Sequence, residues 1–427
     1  MNLQKIAKIA FKNIFRNQRR SAITVCIGGA GYAALAIAAG YISFTFFGLT
    51  AMTICTGFTG GGGGGGHIQI IPESALQKEE AYPLEFGITD YQGIIEEISK
   101  IDGVRFSMPR IDISGLISNG EKTVAFLGKG VDAYWEGMLL QPFVDDNRIQ
   151  IDNSAYYLLQ NDTRGVILGK TMAKALNVLE GSELVLITNT CDNAINAVDV
   201  VVKGTFSTGS RQADRYCLMM NIGLAQGLLQ TDKVERLVVA LKRQYTPETP
   251  HYATMIQDIL QDEFPRKQLI VKRWDEMADY YHAIRAIYYI IFGFMGSIIF
   301  IIVVLSCVNT SLMASMERIS EIGTLRSIGI SLRWISAMFL LEGAFIGIAS
   351  VLLGIIFQLI VTVLVNRVEF MMPPPPGMDL PYQLQIFYFT KALPFVAFLI
   401  VMSTTLSSAF TMWRVKKITI TEALNHV

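Results

Sequence analysis

Four long apolar runs divide this chain, and their placement constrains the fold more than any single motif. One covers residues 22–48, and three more, 284–312, 335–365 and 392–412, crowd the C-terminal third. A helix needs about 20 apolar residues to cross the hydrocarbon core of a bilayer, and each run meets that length. The intervening residues 49–283 are ordinary polar sequence. A chain built this way predicts four membrane spans with one large domain inserted between the first and the second. Charged residues make up only 17% of the chain, against about 25% in soluble domains.

The net charge of zero conceals segregation. The first twenty residues hold Lys5, Lys8, Lys12, Arg16, Arg19 and Arg20 and no acid. The connector between spans two and three carries Arg318, Arg326 and Arg333, and the tail carries Arg414, Lys416 and Lys417. Basic flanks mark the cytoplasmic side, so both termini are expected inside and the inserted domain outside. The first run is long for a cleaved signal sequence and is expected to stay as an anchor. The boundaries read as a basic amphipathic helix at 1–21, spans at 22–50, 284–312, 335–365 and 391–413, an inserted domain at 51–283, a connector at 313–334, an external loop at 366–390 and a tail at 414–427.

Within the insert, strand and helix signals alternate. Residues 60–66 are seven consecutive glycines, read as a hinge or close turn leading into a strand at 68–71. A helix is expected over 90–100, with Asp90 as its N-cap. A hairpin is expected from 111–117 and 123–131 around Asn119-Gly120. Strands follow at 182–188, 198–206 and 234–241, helices at 222–229 and 247–261, and a further helix over 272–286. The fold class is therefore an α-helical membrane domain of four transmembrane helices with a large α+β extracytoplasmic domain between helices 1 and 2, with room for two lobes that divide near 132–161. Gly165-Val-Ile-Leu-Gly169-Lys170-Thr171 has three bulky residues between its glycines where a phosphate loop needs four, so it reads as a strand followed by a helix. Cys191 and Cys217 are candidates for a disulfide, although Cys55 leaves the external cysteines odd in number and the pairing open. The four histidines are scattered, and no metal-ligand spacing or catalytic constellation is seen.

The connector is short, charged and helix-forming. Glu317 and Glu321, four residues apart, share one helical face, whereas Ile322 and Leu325 lie on another. Such a helix suits docking in a groove of a cytosolic partner, and equally a solvated interfacial loop.

Glu317-Arg-Ile-Ser-Glu-Ile-Gly-Thr-Leu-Arg-Ser-Ile-Gly329, followed by Leu341-Glu342-Gly343 in the next span, resembles the core of the FtsX-like ABC transporter permeases. That family includes MacB exporters and the lipoprotein-releasing LolC and LolE subunits. Ala10-Phe-Lys-Asn-Ile-Phe-Arg-Asn-Gln-Arg-Arg20, Gly66-His-Ile-Gln-Ile70, and Gly204-Thr-Phe-Ser-Thr-Gly209 with Asp214 extend the likeness. The resemblance implies a coupling helix, carried by Glu317, Arg318, Glu321, Gly323, Arg326 and Gly329, that docks on a dimer of separate ABC ATPase subunits. ATP and Mg would sit on those subunits, so this chain is expected to be non-catalytic and to bind no cofactor. A second permease chain, identical or not, and membrane lipid are the other implied partners, with a periplasmic lipoprotein chaperone or adaptor beyond them; no nucleic acid is expected. The layout is most similar to LolC and LolE, but residues 189–198 lack the proline-containing hook of LolC. The implied activity is extraction or export of a lipoprotein or other amphiphile at the outer leaflet. The alternatives are MacB-like export of drugs or peptides and FtsX-like control of a cell-wall hydrolase. Met371, Met372, Pro373, Pro374, Pro375 and Pro376 form a stiff external segment, read either as a contact for substrate or partner or as a clamp that holds spans three and four apart.

Overall fold

The computed structural model describes residues 3–16, 18–56, 65–77, 84, 86–145, 150–151, 162–316, 319–368, 370–374 and 381–415. The chain forms two units. One comprises Met1–Phe47, Arg285–Phe370 and Gln383–Val427, the other Gly48–Ile284 and Met371–Tyr382.

The first unit is helical. Helix α1 (Leu3–Arg16) precedes α2 (Gln18–Thr56), which carries the first apolar run. The other three runs fall in α10 (Asp279–Met316), α12 (Leu332–Val368) and α13 (Leu393–Val415), with the short α11 (Ile319–Ser327) between α10 and α12. All four long helices are apolar and long enough to cross a membrane. Lipid tails are as apolar as leucine, so such helices associate by close fit, which favours small residues. Gly343, Gly347, Ser350 and Gly354 form the buried seam of α12. A Cβ on Gly343 would come within 2.9 Å of the Thr404 carbonyl oxygen of α13, and one on Gly354 within 2.7 Å of the Gly29 carbonyl oxygen of α2. The hydroxyls of Ser350, Ser403, Ser407, Ser408 and Thr411 each bond to a carbonyl one turn earlier in their own helix. After α12, Asn366 exchanges two hydrogen bonds with Ile386, at 3.0 and 2.9 Å, and Gln358 Nε2 donates to the Tyr388 carbonyl. Side-chain amides on α12 thus fix the segment that returns to α13.

The second unit is α+β. Its strands are β1 (Ile68–Pro72), β2 (Val104–Ser118), β3 (Thr123–Val131), β4 (Gln150–Ile151), β5 (Gly165–Gly169), β6 (Glu183–Asn189), β7 (Ile195–Ser207), β8 (Cys217–Asn221), β9 (Arg236–Leu241) and β10 (Leu269–Arg273). They make one sheet in the order β10-β1-β9-β2-β3-β8-β5-β7-β4, with β6 paired to β2 and β7. The sheet is continuous among the described residues, including the strands on either side of 132–161. Pairing is antiparallel except at β3–β8 and β5–β7. The helices are α3 (Glu73–Gln77), α4 (Tyr91–Ser99), α5 (Ala133–Asp145), α6 (Lys170–Leu176), α7 (Arg211–Asp214), α8 (Ile222–Leu229) and α9 (Thr249–Glu263). Alternation along β2 sends Ile111, Ile113 and Ile117 to one face, where they meet Ile94 and Ile98 of α4, Met172 and Leu176 of α6, Leu224 and Leu228 of α8, and Ile256 and Leu260 of α9. Phe106 and Met108 point to the other face and pack with Leu139 of α5, Val238 and Ala240, joined by Trp135 and by Cys55 from the last turn of α2.

The hairpin turn forms as its sequence requires. Asn119 Oδ1 accepts from the amides of Glu121 (3.0 Å) and Lys122 (2.7 Å), and Gly120 takes φ 87°. Of the glycine run, 60–64 lie outside the described residues. Gly66 adopts φ 64°, and a Cβ there would approach the Val239 carbonyl oxygen to 2.7 Å, so glycine is needed at that entry to β1.

Two expectations are corrected, and one open pairing is answered. The helix predicted over 272–286 begins only at Asp279, because Lys272 and Arg273 pair with Gln69 and Ile68 across β10 and β1. Asp90 does precede α4, but in the left-handed region and without a side-chain capping bond; Lys267 Nζ instead binds the carbonyls of Thr89 and Asp90. The open pairing of Cys191 with Cys217 is not made, and neither is in a disulfide. Cys217 packs with Ile167, Phe206 and Met219, whereas Cys191 packs against the helix-covered core formed by the opposite face of the sheet. The glycines of 165–169 bound a fully buried strand, in keeping with the strand reading of that motif.

Candidate functional site at the connector between the second and third spans

Of the residues assigned to coupling, Glu317 and Arg318 lie outside the described residues. The rest sit on or just after α11. Ile319 and Ile322 are buried, and Ile322 packs with Ile335 and Phe339 of α12 and Met412 of α13, with Leu325, Ile330, Leu332 and Met338 around them. Gly323 is buried beside Ile322. The opposite side is polar and exposed at Glu321, Thr324 and Ser327. Glu321 forms an ion pair with Arg16 of α1.

The end of α11 is a Schellman motif. The Ile330 amide donates to the Leu325 carbonyl (3.1 Å), and the Gly329 amide donates to the Arg326 carbonyl (3.0 Å). This double closure needs a residue in the left-handed region, usually glycine, and Gly329 has φ 90°. Leu325 and Ile330, the residues bracketing the motif, share the apolar cluster beneath the helix. Just before the stop, Ile328 is 73% exposed, although it is apolar. The site is thus a short helix, seated through one face on α12 and α13, halted sharply by Gly329, with a polar face and one isoleucine left uncovered. Such a helix can take a load on its outer face and pass it to the two spans beneath.

The external segment belongs to the other unit. Met371–Met372 forms a short strand, with Met371 and the two prolines Pro373 and Pro374 exposed. Pro375 and Pro376 lie outside the described residues.

A charged cluster escaped the sequence reading. On the α5 side of the sheet, Arg110 (0% exposed) pairs with Glu136 (1%) of α5, and Arg236 pairs with Asp112 and Glu235. Lys129 lies across from Asp112 in the β2–β3 register. Burial, and then the Arg110 charge, lower the Lys129 ammonium to about 8. Burial raises the Asp112 carboxyl, but Arg236, Lys129 and Arg110 outweigh it and hold it below its ordinary value. Glu235 is raised by burial and by Asp112, against the pull of Arg236. A pattern signal existed, since β2 places Arg110 and Asp112 on the same side as Phe106 and Met108.

Two further polar sites hold backbone in place. His67 Nδ1 accepts from the Leu241 amide (3.2 Å), which leaves Nε2 as the protonated nitrogen facing Thr246 Oγ1 (3.1 Å). Burial lowers this imidazole to about 4. Buried Asp214 accepts from the Thr208 amide and hydroxyl (both 2.8 Å) and from the Ser207 hydroxyl (2.7 Å), closing the turn that follows β7.

Residues 293–420 match a family model described as the FtsX-like permease C-terminal. A stretch of 73 residues is 45% identical to the ABC transporter permease YtrF of Bacillus subtilis (strain 168), and it spans 17% of this chain and 17% of that protein. Among solved structures, the periplasmic region of MacB from Actinobacillus actinomycetemcomitans is similar over 49% of this chain and 89% of its own, at 13% identity and a TM-score of 0.34. The extracellular domain of YknZ, a noncanonic ABC-type transporter from Gram-positive bacteria, covers 48% of this chain and 99% of its own, at 12% identity and a TM-score of 0.31. The connector and the two spans it rests on fall within residues 293–420, the stretch that is similar to the C-terminal part of the FtsX-like permeases.

Proposed function

We propose that this protein is the permease subunit of an ABC transporter that works by mechanical transmission. In this reading α11 docks on a separate ATPase subunit and passes the motion of the ATP cycle to α12 and α13. The observation that carries it is the construction of α11 within the FtsX-like match: a helix buried on one side against two spans and open on the other, ended by Gly329. The basic N-terminal segment and connector support a cytoplasmic position for α1 and α11 and an extracytoplasmic one for the α+β unit. The spans carry few ionisable groups apart from Glu342, and such groups mark polar paths through membranes. That favours an amphiphile such as a lipoprotein, handled at the outer leaflet, over a solute drawn through a central channel. A second permease chain completes the transporter, and ATP with Mg is held by the ATPase partners.

Affinity purification of the tagged full-length protein tests the assignment. An ATP-binding subunit recovered in stoichiometric amount supports it, and its absence overturns it. Gly323→Pro breaks α11 and is expected to abolish coupling of ATP hydrolysis while leaving membrane insertion intact. Depletion of the protein followed by mass spectrometry of the membrane tests the substrate. Accumulated lipoproteins support the amphiphile reading. Unchanged lipoproteins with new sensitivity to drugs or peptides would replace it with export through an adaptor, and a cell-wall phenotype alone with control of a hydrolase.

A further inference from the structure

Helix α1 carries a surface whose occupant can be named from depth and charge. At about 100° per residue, Lys8, Lys12 and Arg16 share one face of the helix, and all three are exposed. Beside them Phe11 and Phe15 are 51% and 59% exposed, with their rings edge to face at 5.2 Å. The other side of α1 rests on α12. Ala10 is fully buried, the Phe11 ring meets the Phe345 ring edge to face at 5.8 Å, and Asn13 Nδ2 reaches Met338 Sδ at 3.8 Å.

Those contacts set a level in the membrane. Along α12 the residues 343–366 contain no charge, and as helix they measure about 36 Å, a little more than the ~30 Å hydrocarbon core. Phe345 is therefore just inside the core and Met338 just outside it. Helix α1 spans this boundary, with two aromatic rings open beside a row of cations that can extend to the headgroups. That combination marks an interfacial helix that draws on both apolar burial and anionic lipid. A cytosolic protein would have to reach it at the depth of the acyl chains.

We propose that α1 binds the anionic phospholipid headgroups of the leaflet in which α12 begins, and that these headgroups compete with Glu321 for Arg16. Arg16 and Glu321 are each about half exposed, at 59% and 50%, so a phosphate can reach the guanidinium without any rearrangement of the core. In a neutral leaflet Arg16 holds α11 through Glu321. In an anionic leaflet the headgroups take Arg16, and α11 is held only by its apolar side. The inference rests on α12 as a span and on the charges of this chain, so it stands apart from the ATPase assignment and its failure is distinguishable from a failure of that reading.

The test uses the full-length protein in nanodiscs of phosphatidylcholine, alone or mixed with phosphatidylglycerol. Phosphatidylglycerol is expected to be enriched around the protein, and the triple variant Lys8→Gln, Lys12→Gln, Arg16→Gln to lose that preference by about fivefold per cation removed. Amide exchange across 319–327 is expected to speed up as phosphatidylglycerol is added. In Glu321→Gln it should be fast in both lipids, and Arg16→Lys should retain the wild-type response. Undiminished phosphatidylglycerol enrichment in the triple variant would overturn the lipid site. Exchange in α11 that ignores lipid charge in the wild type would overturn the competition. A triple variant that keeps its lipid preference but loses a co-purifying acidic protein would show the cationic face to be a protein-docking surface instead.

Discussion

The seam between α12 and α13 and the charged face of the sheet handle buried polar groups in opposite ways. In the helical unit the buried hydroxyls of α13 turn back to carbonyls of their own helix, and close fit at Gly343, Gly347 and Gly354 joins the helices. In the α+β unit, by contrast, charges reach between elements. Arg110 on β2 binds Glu136 on α5, and Arg236 on β9 binds Asp112 on β2. A seam held by fit alone lets helices shift without leaving polar groups unpaired. A buried ion pair is matched in only one arrangement, since separating the charges leaves each of them desolvated and alone. The difference is what the proposed mechanical transmission would need, a part that moves and a part that stays rigid.

The largest effect should come from breaking the rigid part. Arg110→Met leaves Glu136 buried without its partner and is expected to destabilise the protein by about 3–5 kcal/mol. The double variant Arg110→Met, Glu136→Leu is expected to recover most of that loss, as read by thermal unfolding of the full-length protein. A double variant no more stable than the single would show that the ion pair itself is required.

His67 gives a pH test in the same unit. Its imidazole is held near 4 in the fold against an ordinary 6.5, so the unfolded chain binds the proton more readily. The stabilisation is complete above pH 6.5, declines as pH falls through the window from 6.5 to 4, and does not change further below it. The total is about 3 kcal/mol at 1.36 kcal/mol per unit. Denaturant unfolding at stepped pH should show this slope in the wild type and a flatter one in His67→Gln.

The fitted seam predicts a smaller loss. Gly354→Val pushes a side chain toward the Gly29 carbonyl and Tyr32 and should cost about 1–3 kcal/mol by overpacking. Thermal unfolding in detergent checks the cost, and transport should fall more steeply than stability if the seam moves. The smallest effect is expected at the connector. Gly329→Ala must hold φ 90°, a strain of about 1–2 kcal/mol, and amide exchange should rise at Ile330 and Gly329 without global destabilisation.

The parts of this fold that are local in sequence were readable there. An apolar run of span length declares a membrane helix whatever surrounds it, and Asn119-Gly120 declares a hairpin through the geometry of its own turn. The polar and apolar faces of α11 also followed from spacing, since Glu321 and Ile322 point apart on any helix. The parts that depend on distant partners were hidden. Residues 272–273 look helical in isolation, but β1, some two hundred residues earlier in the chain, recruits them into the sheet. In β2, Arg110 and Asp112 alternate with buried isoleucines and so resemble a solvent face; only α5, which brings Glu136 from a later part of the chain, covers Arg110. The Arg16–Glu321 pair is of the same kind, joining residues more than three hundred positions apart. Gly329 lies between these cases, because a glycine after a helical run signals a stop, but the Schellman closure itself shows only in the backbone bonds.

The central claim is that the outer face of α11 docks on an ATPase subunit. A photo-crosslinking amino acid placed at Ile328, exposed at 73%, tests it in intact membranes, with Ile322, buried at 3%, as the internal control. The account predicts an adduct between position 328 and an ATP-binding subunit, strongest at the exposed site and absent at 322. Adducts at 328 confined to lipid or to other residues of this chain, with the ATP-binding subunit present in the same membranes, would contradict it.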